Sequence, residues 1–480
     1  MTKTYEAQKL PIRQKLNYGI GNLVYGVAAN AMGYFLFFYF TAVMGLSGTL
    51  VGIAAAVSLT TDALFDPLLG SWSDGIRSTW GRRLPFMLVG APATALGLGL
   101  LFSPPHGHGE MITFAWLLAT TLALRFSISI FHVPFTAMGA EITHDYAERA
   151  TVVAYRWIFE NIGGLAVVLL GYSVFLAGPK GMMTTTGYSG LGWSGAVIVL
   201  AGGLGCALGL RRFVVQTPAA APHALSFGPR LLAEMKEVFS SQSFRIIFIA
   251  MVLLFAGQGV TQALGQHMNN FVWKMTPQQI RSTALGLFGG LLVGAPLAPW
   301  VISRLEKRTI FIAGLTFLVL AQTLLATLRA FGILTWTGQA MVAPLVVNAI
   351  IAGVGVSFAA VTGGAMMADA ADEHDLLFGA RREGLYFAGV SFAAKAAYGV
   401  GTLVGGVALD AIGFPKHVTP GAALDPNVLA RLATVYGPLA GVFSIIGVWL
   451  VLFYRIDRAR HHEVTTELQA RRQAPANAGA

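Results

Sequence analysis

Apolar runs about 20 residues long recur from one end of this chain to the other, and that is the length an α-helix needs to cross roughly 30 Å of hydrocarbon. A soluble α/β protein buries shorter runs and separates them with charged surface. Here such surface is missing: of 480 residues, 55% are hydrophobic and 11% charged, against about 25% charged in a typical soluble domain. The mean hydropathy of +0.65 agrees. The fold class expected is all-α integral membrane, with about twelve transmembrane helices in two six-helix bundles.

Spans are predicted near 18–44, 48–72, 84–103, 112–139, 150–176, 192–210, 244–272, 282–303, 309–328, 337–368, 383–411 and 432–454. Twelve spans put both termini on one side. Most of the 32 Lys and Arg then crowd into the loops on that side, which the positive-inside rule makes cytoplasmic. Only Lys180, Lys274, Arg281, Arg329, Lys416 and Arg431 fall outside. The net charge of +10 is thereby topological and does not call for a nucleic-acid partner. The longest basic stretch, about 211–245, sits mid-chain. The expected organisation is a first bundle over 1–210, a cytoplasmic linker over 211–243, a second bundle over 244–455 and a cytoplasmic tail over 456–480. Within the linker, PRLLAEMKEVF has the spacing of a surface helix; the end of the tail is expected to be disordered. The basic N-terminus lacks the apolar core of a secretory signal, and Cys206, the single cysteine, permits no intrachain disulfide.

Charges inside lipid cost about 2.5–3.5 kcal/mol each on insertion scales, so those that remain are functional candidates. The second span carries Asp62 and Asp66, four residues apart on one helical face. Two acids that close do not both stay ionised cheaply unless a cation lies between them. The pair suits Na⁺ or H⁺. Arg125, Ser129, His132 and Thr136 share a face of span four, at spacings of four, three and four. Arg156 and Glu160 on span five are placed to pair with each other. Lys395, with Tyr398 one turn on, lies mid-way along span eleven, too deep to snorkel, and is a natural counter-ion for the aspartates. Gln258, Gln262 and Gln266 form a polar stripe on span seven that offers donors and acceptors to hydroxyls. Asn22, Tyr25 and Asn30 add polar groups to span one. Asp74 with Arg82 and Arg83 follows span two in a G-x3-D…GRR pattern fit for a gating salt bridge, or for topology alone.

These residues carry a family likeness. KLNYGIGN, YFTAVMGLSG, Asp62-x3-Asp66-Pro67-x2-Gly70, Trp80-Gly81-Arg82-Arg83-Leu84-Pro85, Val133-Pro134-Phe135, Tyr155-Arg156, Ala368-Asp369, Arg382-Glu383-Gly384 and Lys395 occur in order along nearly the whole chain. The sequence resembles the glycoside–pentoside–hexuronide:cation symporters (melibiose permease-like) of the major facilitator superfamily. The resemblance implies alternating-access transport of a sugar, glycoside or hexuronide with H⁺ or Na⁺. It implies Asp62, Asp66 and Ser129 as cation-binding, Lys395 as charge partner, and Arg156 in the substrate pocket. Tyr25, Arg125, His132, Gln258, Gln262, Gln266 and Tyr398 complete the expected substrate-binding set. The family's amide between the two aspartates is Phe65 here, which has no ligating oxygen and tilts the expectation towards H⁺. The acids that bind galactosides fall at Gly26 and His132, and the stacking aromatic at Thr136, so an anionic solute such as a hexuronate is expected.

An enzyme is not expected: no metal motif, nucleophile turn or phosphate-cradling loop occurs, and His106 and His108 alone are a weak metal hint. No cofactor is expected beyond the coupling cation, and no metal beyond Na⁺ at that site. The expected partners are a small solute and membrane lipid, not nucleic acid; a monomer in a bacterial inner membrane with both termini cytoplasmic is anticipated. The rival readings are a cation-coupled carrier of an amphiphile such as a lysolipid, and a membrane sensor that does not transport.

Overall fold

A computed structural model describes residues 10–76, 78–143, 145–178, 180–211, 236–379, 383–416, 418, 424–454 and 456–473. Among the described residues, eleven helices are long and apolar enough to cross a membrane. The first predicted span is also helical, in the successive segments α1 (Ile12–Gly21), α2 (Leu23–Ala31) and two π-helical stretches, Met32–Leu36 and Tyr39–Val43. Most of the predicted linker helix and the PANAGA end lie outside the described residues.

The chain divides into two compact units. Unit 1 holds Met1–Leu225, Thr276–Arg281 and Gly406–Leu424. Its further helices are α3 (Gly48–Gly75), α4 (Leu84–Leu101), α5 (Glu110–Glu141), α6 (Tyr146–Leu170) and α7 (Thr185–Gly209). Local chemistry sets their starts. Ser47 caps α3 by accepting from the Leu50 N–H, and Asp145 caps α6 by accepting from the Glu148 N–H. The Asp410 carboxylate also accepts from the N–H groups of Gly48 and Thr49, each at 2.8 Å. Pro67 stands inside α3, yet the helix continues to Gly75. Side chains on these helices sort by face: Val89 and Leu96 of α4 are exposed while Met87, Ala91 and Leu98 are buried, as a helix between lipid and bundle interior requires.

Glycine permits close approach of helices in unit 1. A Cβ on Gly26 would stand 2.2 Å from the Glu160 carbonyl oxygen, so α2 and α6 meet backbone to backbone. This also accounts for the absence of an acid at position 26: no side chain fits there.

Unit 2 holds Ser226–Met275, Ser282–Gly405 and Asp425–Ala480. Its helices are α8 (Gln242–His267), α9 (Pro277–Ile302), α10 (Lys307–Ala330), α11 (Gln339–Phe378), α12 (Glu383–Ala411), α13 (Pro426–Thr434), α14 (Ala440–Val451) and α15 (Arg458–Gln473). The first turn of α9 and the last turns of α12 belong to unit 1. Phe244, Ile247, Leu254, Phe311, Leu315, Met366, Tyr386, Val451 and Tyr454 form its main core. The tail, expected to be merely polar, is helical over α15. It packs Val464 and Leu468 against Leu376 of α11, and His461 Nε2 lies 3.2 Å from Asp369.

Candidate cation site and polar faces

Packing of α3 on α5 brings the predicted cation residues together in unit 1. Asp62 and Ser129 are buried, 8% and 3% exposed; Asp66 is half-buried. Ser129 Oγ lies 2.7 Å from Asp62 Oδ1 and 2.7 Å from Asp66 Oδ1. Both are lengths of a strong O–H···O bond. A serine hydroxyl carries one proton, so it donates to only one carboxylate. The second contact needs another proton, from a carboxyl, or a cation held among the oxygens. Arg125 Nη1 stands 3.8 Å from Asp62 Oδ2, close enough to favour an anion there but too far for a hydrogen bond.

Phe65, which replaces the family's amide, turns to Phe126 of α5 in an edge-on contact at 5.5 Å. It lies 39% exposed. Its ring has no oxygen to offer beside the neighbouring carboxylates.

His132, one turn beyond Ser129, stacks on Tyr25 of α2 with centroids 4.6 Å apart. Arg125, His132 and Thr136 are half-buried along the same face of α5, although the Thr136 hydroxyl already donates to the Val133 carbonyl. Arg156 of α6 lies against the Tyr18 phenol. Glu160 does not take the expected partner: its carboxylate accepts from Asn22 Nδ2 at 2.9 Å.

Asp74, Arg82 and Arg83 do converge, inside unit 1. Arg83 pairs with Asp74 at 2.5 Å and with Glu141 at 3.0 Å, and Arg82 pairs with Glu141 at 2.6 Å. Arg83 also donates to the Ser73 hydroxyl. Glu141, the last residue of α5, closes this cluster and was missed in the sequence; its only signal was an acid at the end of a span beside a basic loop.

In unit 2 the glutamine stripe of α8 and the Lys395–Tyr398 stripe of α12 belong to helices in backbone contact. A Cβ on Gly259 would meet the Tyr398 carbonyl oxygen at 2.2 Å, and one on Gly401 would meet that of Ala256 at 2.0 Å. Gln266 is buried, Gln258, Lys395 and Tyr398 are half-buried, and Gln262 is exposed.

Residues 17–458 match the family described as MFS/sugar transport protein. The chain belongs to this family. An uncharacterized symporter of Synechocystis sp. is 28% identical over 98% of this chain and 99% of its own. The isoprimeverose transporter of Lactiplantibacillus pentosus is 23% identical over 94% of this chain and 90% of its own. Among solved structures, the Escherichia coli xylose transporter in an inward-open conformation has a TM-score of 0.59 and 13% identity, over 94% of this chain and 98% of its own; it shares the fold. As a sugar-transport member of the major facilitator superfamily, the protein is an integral membrane secondary transporter with all-α architecture.

Proposed function

We propose that this MFS/sugar transport protein carries a sugar, glycoside or hexuronide together with H⁺ across a bacterial cytoplasmic membrane, with both termini in the cytoplasm. One observation carries the reading: a single serine hydroxyl bridges two carboxylates at 2.7 Å each. The hydroxyl has one proton for two carboxylate contacts, so a proton on a carboxyl or a cation among the oxygens would complete the arrangement. Loss of the proton restores repulsion between Asp62 and Asp66, which biases the local helix packing. Coupling follows if the solute binds best to one of the two arrangements. Na⁺ is the alternative ion, and the position of Phe65 supports H⁺ over it.

The solute-facing groups in unit 1 are Tyr25, Arg125, His132 and Arg156. In unit 2 they are Gln258, Gln262, Gln266 and Tyr398, with Lys395 as the proposed charge partner. Two guanidinium groups and one imidazole favour a carboxylate-bearing solute. The stacked Tyr25–His132 pair offers a flat face to a sugar ring. Relatives named for isoprimeverose and glucuronide transport fit this substrate class. The resemblance implies alternating access as the mode of transport.

Uptake into membrane vesicles tests this. Labelled glycosides and uronates are supplied with a pH gradient or a Na⁺ gradient applied separately. The expected result is uronate accumulation driven by the pH gradient. Equal uptake of a neutral glycoside and its uronate contradicts the anionic substrate, and accumulation under Na⁺ alone contradicts H⁺.

A further inference from the structure

The Asn22–Glu160 contact in unit 1 lies apart from the Asp62–Asp66–Ser129 cluster and has its own unsatisfied chemistry. Asn22 is fully buried at the start of the α2 segment, 0% exposed. Its Nδ2 donates twice, to the Arg156 carbonyl at 3.1 Å and to Glu160 Oε2 at 2.9 Å. A carbonyl oxygen only accepts, so the Arg156 bond fixes which end of the amide is nitrogen. The other end, Asn22 Oδ1, is buried with no hydrogen-bond partner. A carboxylate also only accepts. The pair as a whole therefore lacks one donor.

Glu160 sits near the middle of its span. The apolar stretch runs from Glu148 to Phe175, which puts Glu160 about 18 Å from one end and about 22 Å from the other at 1.5 Å per residue. The backbone closeness of Gly26 and Glu160 leaves no room for a side chain between them. A protonated carboxyl answers both needs. Its carbonyl oxygen would accept the Asn22 N–H, and its O–H would offer the donor that Oδ1 lacks.

We propose that Glu160, held by Asn22, is a second proton-binding site of this transporter, separate from the aspartate cluster. The titratable and charged groups around it are few. Arg156, one turn nearer the start of α6, reaches Glu160 through its field alone, with no hydrogen bond between them. Tyr18 of α1 takes up that guanidinium, and Cys206 of α7 lies behind Tyr18. Tyr25 of α2 is stacked on His132 of α5. Arg156 favours the carboxylate; the mid-span position and the empty amide oxygen favour the acid. The Arg156 field does not supply Asn22 Oδ1 with a donor, and a proton on Glu160 is the nearest candidate for one. Protonation itself does not depend on the proposed coupling at Asp62; only its part in the transport cycle rests on that reading.

Infrared spectroscopy of the purified full-length protein across a pH series, with deuterium exchange, reads the protonated carboxyl directly. The expected result at neutral pH is a protonated-carboxyl carbonyl band in the wild type and in Asp62→Asn that is missing from Glu160→Gln. Gln at this position offers the same donor and acceptor as the protonated acid, so the fold should hold. Asn22→Leu, which leaves Glu160 in place, should shift the band to the frequency of a carboxyl without its hydrogen bonds. Solute counterflow gives the functional readout. The wild-type rate should fall at alkaline pH as Glu160 ionises, and Glu160→Gln should flatten that fall. The proposal is overturned if the neutral-pH spectrum of Glu160→Gln matches the wild type, if the band ignores Asn22→Leu, or if the pH profile of counterflow is the same in Glu160→Gln. Loss of the band in Asp62→Asn alone would assign it to the aspartate cluster and equally overturn the proposal.

Discussion

Two acid-bearing clusters lie along the same pair of helices, α3 and α5, and their contacts differ. At the end of α3, Asp74 and Glu141 meet Arg82 and Arg83 in contacts of 2.5–3.0 Å. Anions and cations match in number, and each acid touches an arginine. Deeper in the span, Asp62 and Asp66 share one hydroxyl, and Arg125 stands off at 3.8 Å. The first cluster knits a loop to a helix end. The second gathers two acids on one hydroxyl, the arrangement proposed above for ion binding. The difference teaches that acids held directly against arginines knit helix ends together, whereas acids gathered on a shared hydroxyl are the candidates for ion binding.

Substitutions sharpen this contrast. Asp62→Asn removes the acid that Ser129 and Arg125 share. Breaking a buried charged pair costs about 3–5 kcal/mol, so gradient-driven uptake in vesicles should fall by roughly two to three orders of magnitude. Wild-type accumulation in this variant would place the coupling ion elsewhere. Ser129→Ala removes one hydrogen bond to a charged group, worth about 1.5–3 kcal/mol. The apparent affinity for the coupling ion, read from uptake against ion concentration, should weaken about tenfold. Glu141→Gln acts on the compensated cluster and should leave that affinity unchanged. Its effect should appear as lower thermal stability in detergent, with Tm falling about 2–4 °C for each kcal/mol lost. A shifted ion dependence there would erase the distinction between the clusters. The smallest change is expected from Phe65→Asn. It trades a contact with Phe126 for an amide and should add a measurable Na⁺ activation without loss of proton-driven uptake.

Much of this architecture was legible before any coordinates. Span lengths follow from the thickness of hydrocarbon, and the faces of α3 and α5 follow from helical spacing. Periodicity alone thus set Asp62 beside Asp66 and put Ser129 on the face of Arg125 and His132. What could not be read were partnerships made across distant segments. Asn22 and Glu160 lie 138 residues apart, Arg82 and Glu141 59 apart, and neither spacing leaves a trace in sequence. Intrahelical pairing of Arg156 with Glu160 was the local expectation; Asn22 of the first span supplies the hydrogen-bond donor instead. The tail helix α15 was missed because its composition is polar. Its one signal was Val464 and Leu468, four apart, which dock on Leu376.

Proton movement itself provides the most direct test of the aspartate–serine site. Solute is added to de-energised cells or vesicles in a lightly buffered medium, and external pH is recorded. With H⁺ bound among Asp62, Asp66 and Ser129 and carried with the solute, the medium turns alkaline on addition of a transported uronate, and Asp62→Asn abolishes the change. Solute entry with no pH change in the wild type, or an undiminished change in Asp62→Asn, contradicts the account.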